Sequence, residues 1–255
     1  MSGITPFDVS QQRKVPFESV AQEYLKLYDR IYSSLKESGA KILLYGSIGI
    51  YHRVKDSKDS VELLKLYRRN GPQDMNVILP TSSRERFKEV VKEQGWTPYY
   101  HLERTMGDVA GMFFYESLVL KAYYMDVPTF NHRINLSWEE EYSASLTDLL
   151  LTKLQMHFPT DKDTADIAAI LLLEERIDVN KVLLHARSDW GFWKDATQNL
   201  ANVRSLVGRL EMDNVKTKEE LKRVIAVSTK LYGQLMNAKP HHESNDPDEK
   251  YWLDF

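Results

Sequence analysis

Residues 41–53 read KILLYGSIGIYHR, and this stretch limits the fold more than any other. Ile42, Leu43 and Leu44 form an apolar run too short for a helix, and glycines bound it at 39 and 46, so it reads as a buried strand. IGIYHRV, after Gly46-Ser47, reads as the start of a helix. A strand that stops at Gly-Ser and continues as a helix gathers backbone N–H groups and a hydroxyl at one point. The turn therefore reads in two ways, as an ordinary strand ending or as a cradle for phosphate.

The rest of the chain extends this pattern. Val20, Tyr24, Leu27, Ile31 and Leu35 recur at helical steps within residues 16–38, and Gly39 is placed to stop that helix. Residues 55–73 are charged and broken, with a short helix expected at VELLKLYRR and a stop at Asn70-Gly71-Pro72. DMNVILP, residues 74–80, alternates as a strand does. SSRERFKEVVKEQG reads as a helix capped by Ser82 or Ser83 and ended by Gly95. WTPYYHLE, GMFFYE and LVLKAYYMDV read as three strands, with antiparallel neighbours joined by tight turns. From about residue 143 only helical patterns remain, enough for three to five helices. The expected organisation is an α/β domain over 1–142, a helical bundle over 143–238 and a polar tail over 239–255. That tail carries His241, His242 and Glu243, and ends in an aromatic segment with Trp252 and Phe255.

Composition removes several classes of function. A formal net charge of −3 over 255 residues gives no overall pull toward nucleic acid. The absence of cysteine excludes disulfides and thiolate metal sites and is compatible with a reducing compartment. No window approaches the ~18 unbroken apolar residues of a membrane span, and the N-terminal residues lack the apolar core of a signal peptide. The expectation is a cytoplasmic protein with no membrane partner. The Walker phosphate loop, the dinucleotide fingerprint, the Gly-x-Ser-x-Gly elbow and the His-Glu-x-x-His zinc motif are all absent.

The order of motifs on these elements resembles the nucleotidyltransferase superfamily with the DNA polymerase beta fold, particularly its minimal and abortive-infection-type bacterial branches. The residues that carry the likeness are Gly46-Ser47 in LLYGSIGIY, Asp74 and Asn76 in QDMNVIL, and Asp126 in YYMDVPTF. It covers roughly residues 40–130, and extends loosely into SLTDLLLTKLQMHFPTDKDTADIAAIL with Lys153, Asp163 and Asp166. The resemblance implies an α+β fold, with a nucleotidyltransferase-like mixed β-sheet, flanking helices and a C-terminal helical bundle. It also implies Mg²⁺ and a nucleoside triphosphate, from which a nucleoside monophosphate passes to an acceptor hydroxyl on a small molecule, a tRNA end or a protein. Asp74, Asn76 and Asp126 would hold the metal, with Asp74 and Asp126 catalytic. Gly46, Ser47 and Lys153 would contact the nucleotide.

Elementary chemistry explains why such a site needs these residue types. Mg²⁺ prefers carboxylate oxygens and water, and alternate residues of a strand share a face, so positions 74 and 76 can share an ion. The sequence departs from the family pattern at residue 76, where the second Asp is Asn, an amide that brings no negative charge. The long stretch 55–73 is a second departure and reads as an insertion. Together they favour an alternative, a nucleotidyltransferase-fold protein that binds nucleotide or a protein partner without turnover. Other readings also stay open. Lys153 is either a snorkelling helix lysine or a phosphate contact. Asp161, Asp163 and Asp166 suit a helix N-terminus, with Asp163 or Asp166 pairing with Lys153 or Arg176. His52 and Arg53 are surface residues or lie at the cleft.

Overall fold

The computed structural model describes residues 16–68, 71–212 and 218–240. The expected helix stop at Asn70 and most of the expected tail, with His241, His242, Trp252 and Phe255, lie outside those residues. The chain is α+β, with a five-stranded mixed sheet, flanking helices and a following set of helices. Its contacts divide it into two compact units. One holds the sheet and comprises residues up to 53, 68–128 and 136–144. The other comprises 54–67, 129–135 and the residues from 145 onward.

In the sheet unit, helix α1 (Phe17–Glu37) buries a stripe of Phe17, Val20, Tyr24, Tyr28, Ile31 and Leu35. These recur at the spacing of one helical face, and each large side chain so buried stabilises the fold by about 1.5–3 kcal/mol. The strands are β1 (Leu43–Tyr45), β2 (Met75–Leu79), β3 (Thr97–Pro98), β4 (Ala110–Tyr115) and β5 (Leu118–Tyr124). They lie in the order β1-β2-β5-β4-β3. β1 runs antiparallel to β2, while β2 runs parallel to β5. β4 and β5 form the expected antiparallel hairpin, with Tyr115 paired to Leu118. Its two-residue turn places Glu116 at φ +51°, in the left-handed region such tight hairpins use.

Two local expectations fail for physical reasons. WTPYYHLE yields only the short β3 and then helix α5 (Tyr100–Met106), none of whose residues is buried. Tyr99 and Tyr100 stay exposed, and the chain beyond β3 turns into a helix lying against β4 instead of extending the strand. Ser83 does not cap helix α4 (Arg84–Glu93) with its side chain. Its hydroxyl accepts a hydrogen bond from the backbone N–H of Lys41 instead. The helix after β1 begins at Gly46 itself, giving α2 (Gly46–Val54).

The segment 142–144 covers the outer edge of β1. The Leu44 N–H donates to the Tyr142 carbonyl, and the Ala144 N–H donates to the Leu44 carbonyl. Covering an edge strand in this way removes a row of unpaired backbone groups. Tyr142 takes φ +71°, a costly conformation for a bulky residue. It is held there from several sides. The Tyr28 hydroxyl donates to its carbonyl at 2.7 Å, its own hydroxyl donates to Asp29, and the Tyr28 and Tyr32 rings pack edge-on. Arg53, near the end of α2, donates to the carbonyls of Ser143 and Ala144 and to Glu140, tying α2 to the same segment.

The helical unit contains α3 (Lys58–Lys65), α6 (Leu146–Leu154), α7 (Asp161–Leu171), α8 (Val179–Ser188), α9 (Trp190–Met212) and α10 (Lys218–Asn237). α3, from the stretch that reads as an insertion, packs on α7, and α9 pairs lengthwise with α10. Three of the N-termini follow from their own residues. Ser145 caps α6, Asp178 caps α8, and Thr160 with Asp163 forms a reciprocal capping box on α7.

Candidate functional site

The site lies where β1 ends and β2 begins. Because the two strands are antiparallel, the last residue of β1 meets the first half of β2, and Tyr45 pairs with Asn76. Gly46 follows at φ +67°. A Cβ at Gly46 would sit 3.2 Å from the Asn76 amide nitrogen, so the Gly-Ser turn lies directly against the face that carries Asn76. Only glycine takes this φ and this proximity without strain.

Asp74 and Asn76 share that face, as strand alternation requires. The Asn76 amide NH₂ donates to Asp74 Oδ1 at 3.0 Å. The other oxygen of Asp74 belongs to Lys121, whose ammonium lies 2.6 Å away. Lys121 is in β5, and the parallel register places it opposite Asn76. Tyr45, Asn76 and Lys121 thus form one row across three strands. Tyr123, two residues along β5, shares the face, with its ring 6.1 Å from that of Tyr45.

One feature outside the face holds it in place. The Tyr24 hydroxyl of α1 donates to the Gln73 carbonyl and accepts from the Val119 N–H, both at 3.1 Å. It therefore fixes the start of β2 against the start of β5, one residue before Asp74 and two before Lys121. Burial acts against the charge on Lys121, but the charge and hydrogen bond of Asp74 outweigh it and raise the ammonium above its ordinary value. Burial also raises the Tyr45 phenol well above its usual range, with the neighbouring Tyr123 and Asp74 adding to the effect.

Asp126 is not part of this cluster. β5 runs parallel to β2, so residues past its end lie beside the end of β2, whereas Asp74 precedes the start of β2. At about 3.3 Å per residue the first and last residues of a five-residue strand are some 13 Å apart. Asp126 is exposed, accepts a hydrogen bond from the Thr81 N–H and receives the Trp138 indole N–H at its carbonyl. The position on β5 beside Asn76, where a third carboxylate would complete a metal site, holds Lys121. Lys153 belongs to the helical unit, where its ammonium lies 2.7 Å from Asp163 and 3.0 Å from Asp166.

This donor set does not fit Mg²⁺. Asp74 is the single carboxylate of the cluster, and an ammonium and an amide NH₂ take up its two oxygens. Carboxylate and ammonium cancel, so the cluster has no net charge to attract a divalent ion. A unit positive charge about 4 Å from a divalent ion opposes it by about 8 kcal/mol at an effective dielectric of 20, as much as one carboxylate attracts it. Among the described residues no group of three or more His, Cys, Asp or Glu side chains is placed to hold a metal.

Reasoning from the sequence overlooked Lys121, Tyr45 and Tyr123. Lys121 had a signal, as the one charged residue within the apolar strand LVLKAYY. Its partner depended on strand order and direction, which no local pattern reports.

No protein-family model matches the chain, and no curated protein matches it. Among solved structures it is similar to the solution structure of the antibiotic-resistance factor ANT(2'')-Ia, at 12% identity and a TM-score of 0.42. The likeness covers 66% of this chain and 94% of that one. No helix of the described residues is long and apolar enough to cross a membrane.

Proposed function

We propose that the chain is a nucleotidyltransferase-like protein that receives the phosphates of a nucleotide at the Gly46-Ser47 turn and does not transfer the nucleotidyl group. One observation carries this reading: Gly46 lies against Asn76, so the turn and the Asp74 face form one place. The N-terminus of α2 supplies backbone N–H groups there, and Ser47 supplies a hydroxyl. The order of elements supports the family reading, with a strand, the Gly-Ser turn, a helix, an antiparallel strand bearing Asp-x-Asn and a parallel strand beside it.

Transfer with Mg²⁺ to a small-molecule, tRNA or protein hydroxyl is the second reading, favoured by Asp74 alone. Its metal site would need two more carboxylates. Calorimetry with ATP, GTP, CTP and UTP tests the first reading. At least one should bind, and Gly46→Val, which fills the space against Asn76, should weaken that binding by about tenfold or more. No binding by any of the four sinks the proposal. Release of pyrophosphate that depends on Asp74 restores the transfer reading.

A further inference from the structure

We infer that the Asp74 site works without a divalent metal, the Lys121 ammonium standing where a bound cation would otherwise meet Asp74. This rests on the nucleotide reading above, and adds to it the form of the ligand, a nucleoside triphosphate free of Mg²⁺. Three observations on the face agree. Lys121 reaches Asp74 at 2.6 Å from the neighbouring strand, the place from which a third carboxylate would come. Asn76 turns its donor nitrogen, not its oxygen, toward Asp74. Both strands are pinned at this level by the one hydroxyl of Tyr24, so the ammonium is set by backbone register as well as by its flexible stem.

The exchange has a chemical rationale. A magnesium ion at such a site neutralises phosphate charge and is delivered with the nucleotide. A lysine neutralises part of the same charge, is present permanently, and cannot bind or release hydroxide. Site occupancy would then follow nucleotide concentration alone. The Asp74 carboxylate keeps Lys121 aimed at the face until phosphate oxygens approach the turn, 2.6 Å being a full charge-assisted hydrogen bond.

The test uses the full chain and three probes: Mn²⁺ alone followed by paramagnetic resonance, nucleoside triphosphate in Mg²⁺, and the same nucleotide in EDTA. The expected results are no Mn²⁺ binding that Asp74→Asn removes, and nucleotide affinity in EDTA at least as high as in Mg²⁺. Lys121→Met should weaken metal-free nucleotide binding by about tenfold, with Lys121→Arg restoring most of it. The double variant Asn76→Asp/Lys121→Asp should acquire a Mn²⁺ site. Asp74-dependent Mn²⁺ binding by the natural chain overturns the inference. So does loss of nucleotide affinity in EDTA, or a folded double variant that gains no Mn²⁺. If the double variant does not fold, Asn76→Asp/Lys121→Glu takes its place, with Mn²⁺ gained as the expected result and none gained as the overturning one. Absence of nucleotide binding in every buffer would sink the nucleotide reading, while the Mn²⁺ measurements would still decide whether Lys121 excludes the metal.

Discussion

Two of the lysine–aspartate contacts among the described residues have similar geometry in very different settings. In the sheet unit Lys121 meets one carboxylate, and both side chains retain about a quarter to a third of their exposure. In the helical unit Lys153 meets two, Asp163 and Asp166, with Lys153 and Asp163 at 13% exposure and Asp166 at none. Asp163 also closes the capping box with Thr160, so the second cluster joins α6 to the first turn of α7. One arrangement is part of how its unit is built. The other lies on a face that the backbone already holds through Tyr24. Burial, more than distance, separates a structural ion pair from one available to a ligand.

The largest effect should come from breaking the buried cluster. Lys153→Met leaves a wholly buried Asp166 without its lysine, and removing one partner of such a pair costs about 3–5 kcal/mol. For a protein of this size that lowers the melting temperature by about 10 °C. A loss under about 1 kcal/mol would show that the cluster does not join the two helices.

Next comes a network in the helical unit that extends the same contrast. His132 is buried and lies between two carboxylates, with Nδ1 2.9 Å from Asp189 and Nε2 3.1 Å from Asp195. Asp195 also meets His157 at 2.9 Å. Carboxylates only accept, so both ring nitrogens of His132 carry protons. Burial opposes that charge, but the bonds to Asp189 and Asp195 outweigh it and raise the group above 6.5. A raised histidine stabilises fully below its ordinary value, and that contribution disappears as pH rises through the folded value. Urea unfolding of the natural chain and His132→Gln should therefore differ by about 2–3 kcal/mol near pH 6, and the gap should narrow toward pH 9. A gap that stays constant with pH would mean that His132 is neutral.

Asp163 gives the opposite slope. Burial raises it, but the charge and hydrogen bond of Lys153, with the Thr160 bonds, hold it down at about 2 against an ordinary 3.8. Its contribution is present above 3.8 and lost as pH falls from 3.8 toward 2, about 2 kcal/mol in all. Asp163→Asn should flatten that acid limb. An unchanged limb would detach the carboxylate from the fold.

How much of this the sequence makes legible depends on the range of the signal. The helical face of α1, the strand before Gly46 and the sharing of a face by Asp74 and Asn76 all follow from periodicity and are readable locally. The pairing of Lys153 with Asp163 and Asp166 was also among the open readings, because the three-residue spacing puts both aspartates on one side of α7. Asp126 is different. Whether it or Lys121 stands beside Asn76 turns on β5 running parallel to β2, and that direction is set by the path through α4, β3, α5 and β4. The aromatic pair in WTPYYHLE misled for a related reason, since β propensity expresses burial against neighbours, and Tyr99 and Tyr100 stay exposed.

The smallest expected effect concerns Lys121 itself. The pair it forms is partly exposed, and pairs of that kind contribute about 0–1 kcal/mol, much of it screened by salt. Lys121→Met should therefore leave the melting temperature within about 3 °C of the natural chain, and the difference should shrink further in high salt. Tyr24→Phe, which removes the hydroxyl between Gln73 and Val119 and leaves two backbone groups unsatisfied, should cost more, about 1–3 kcal/mol. That order is informative, because it places the architecture of the face in the backbone and frees Lys121 from any duty to the fold. If Lys121→Met proved the more damaging of the two, the pair would be structural like that of Lys153, and the contrast between the two clusters would vanish. If the order holds, Lys121 lies opposite Asn76 with little bearing on stability, and its role turns on the nucleotide and Mn²⁺ measurements.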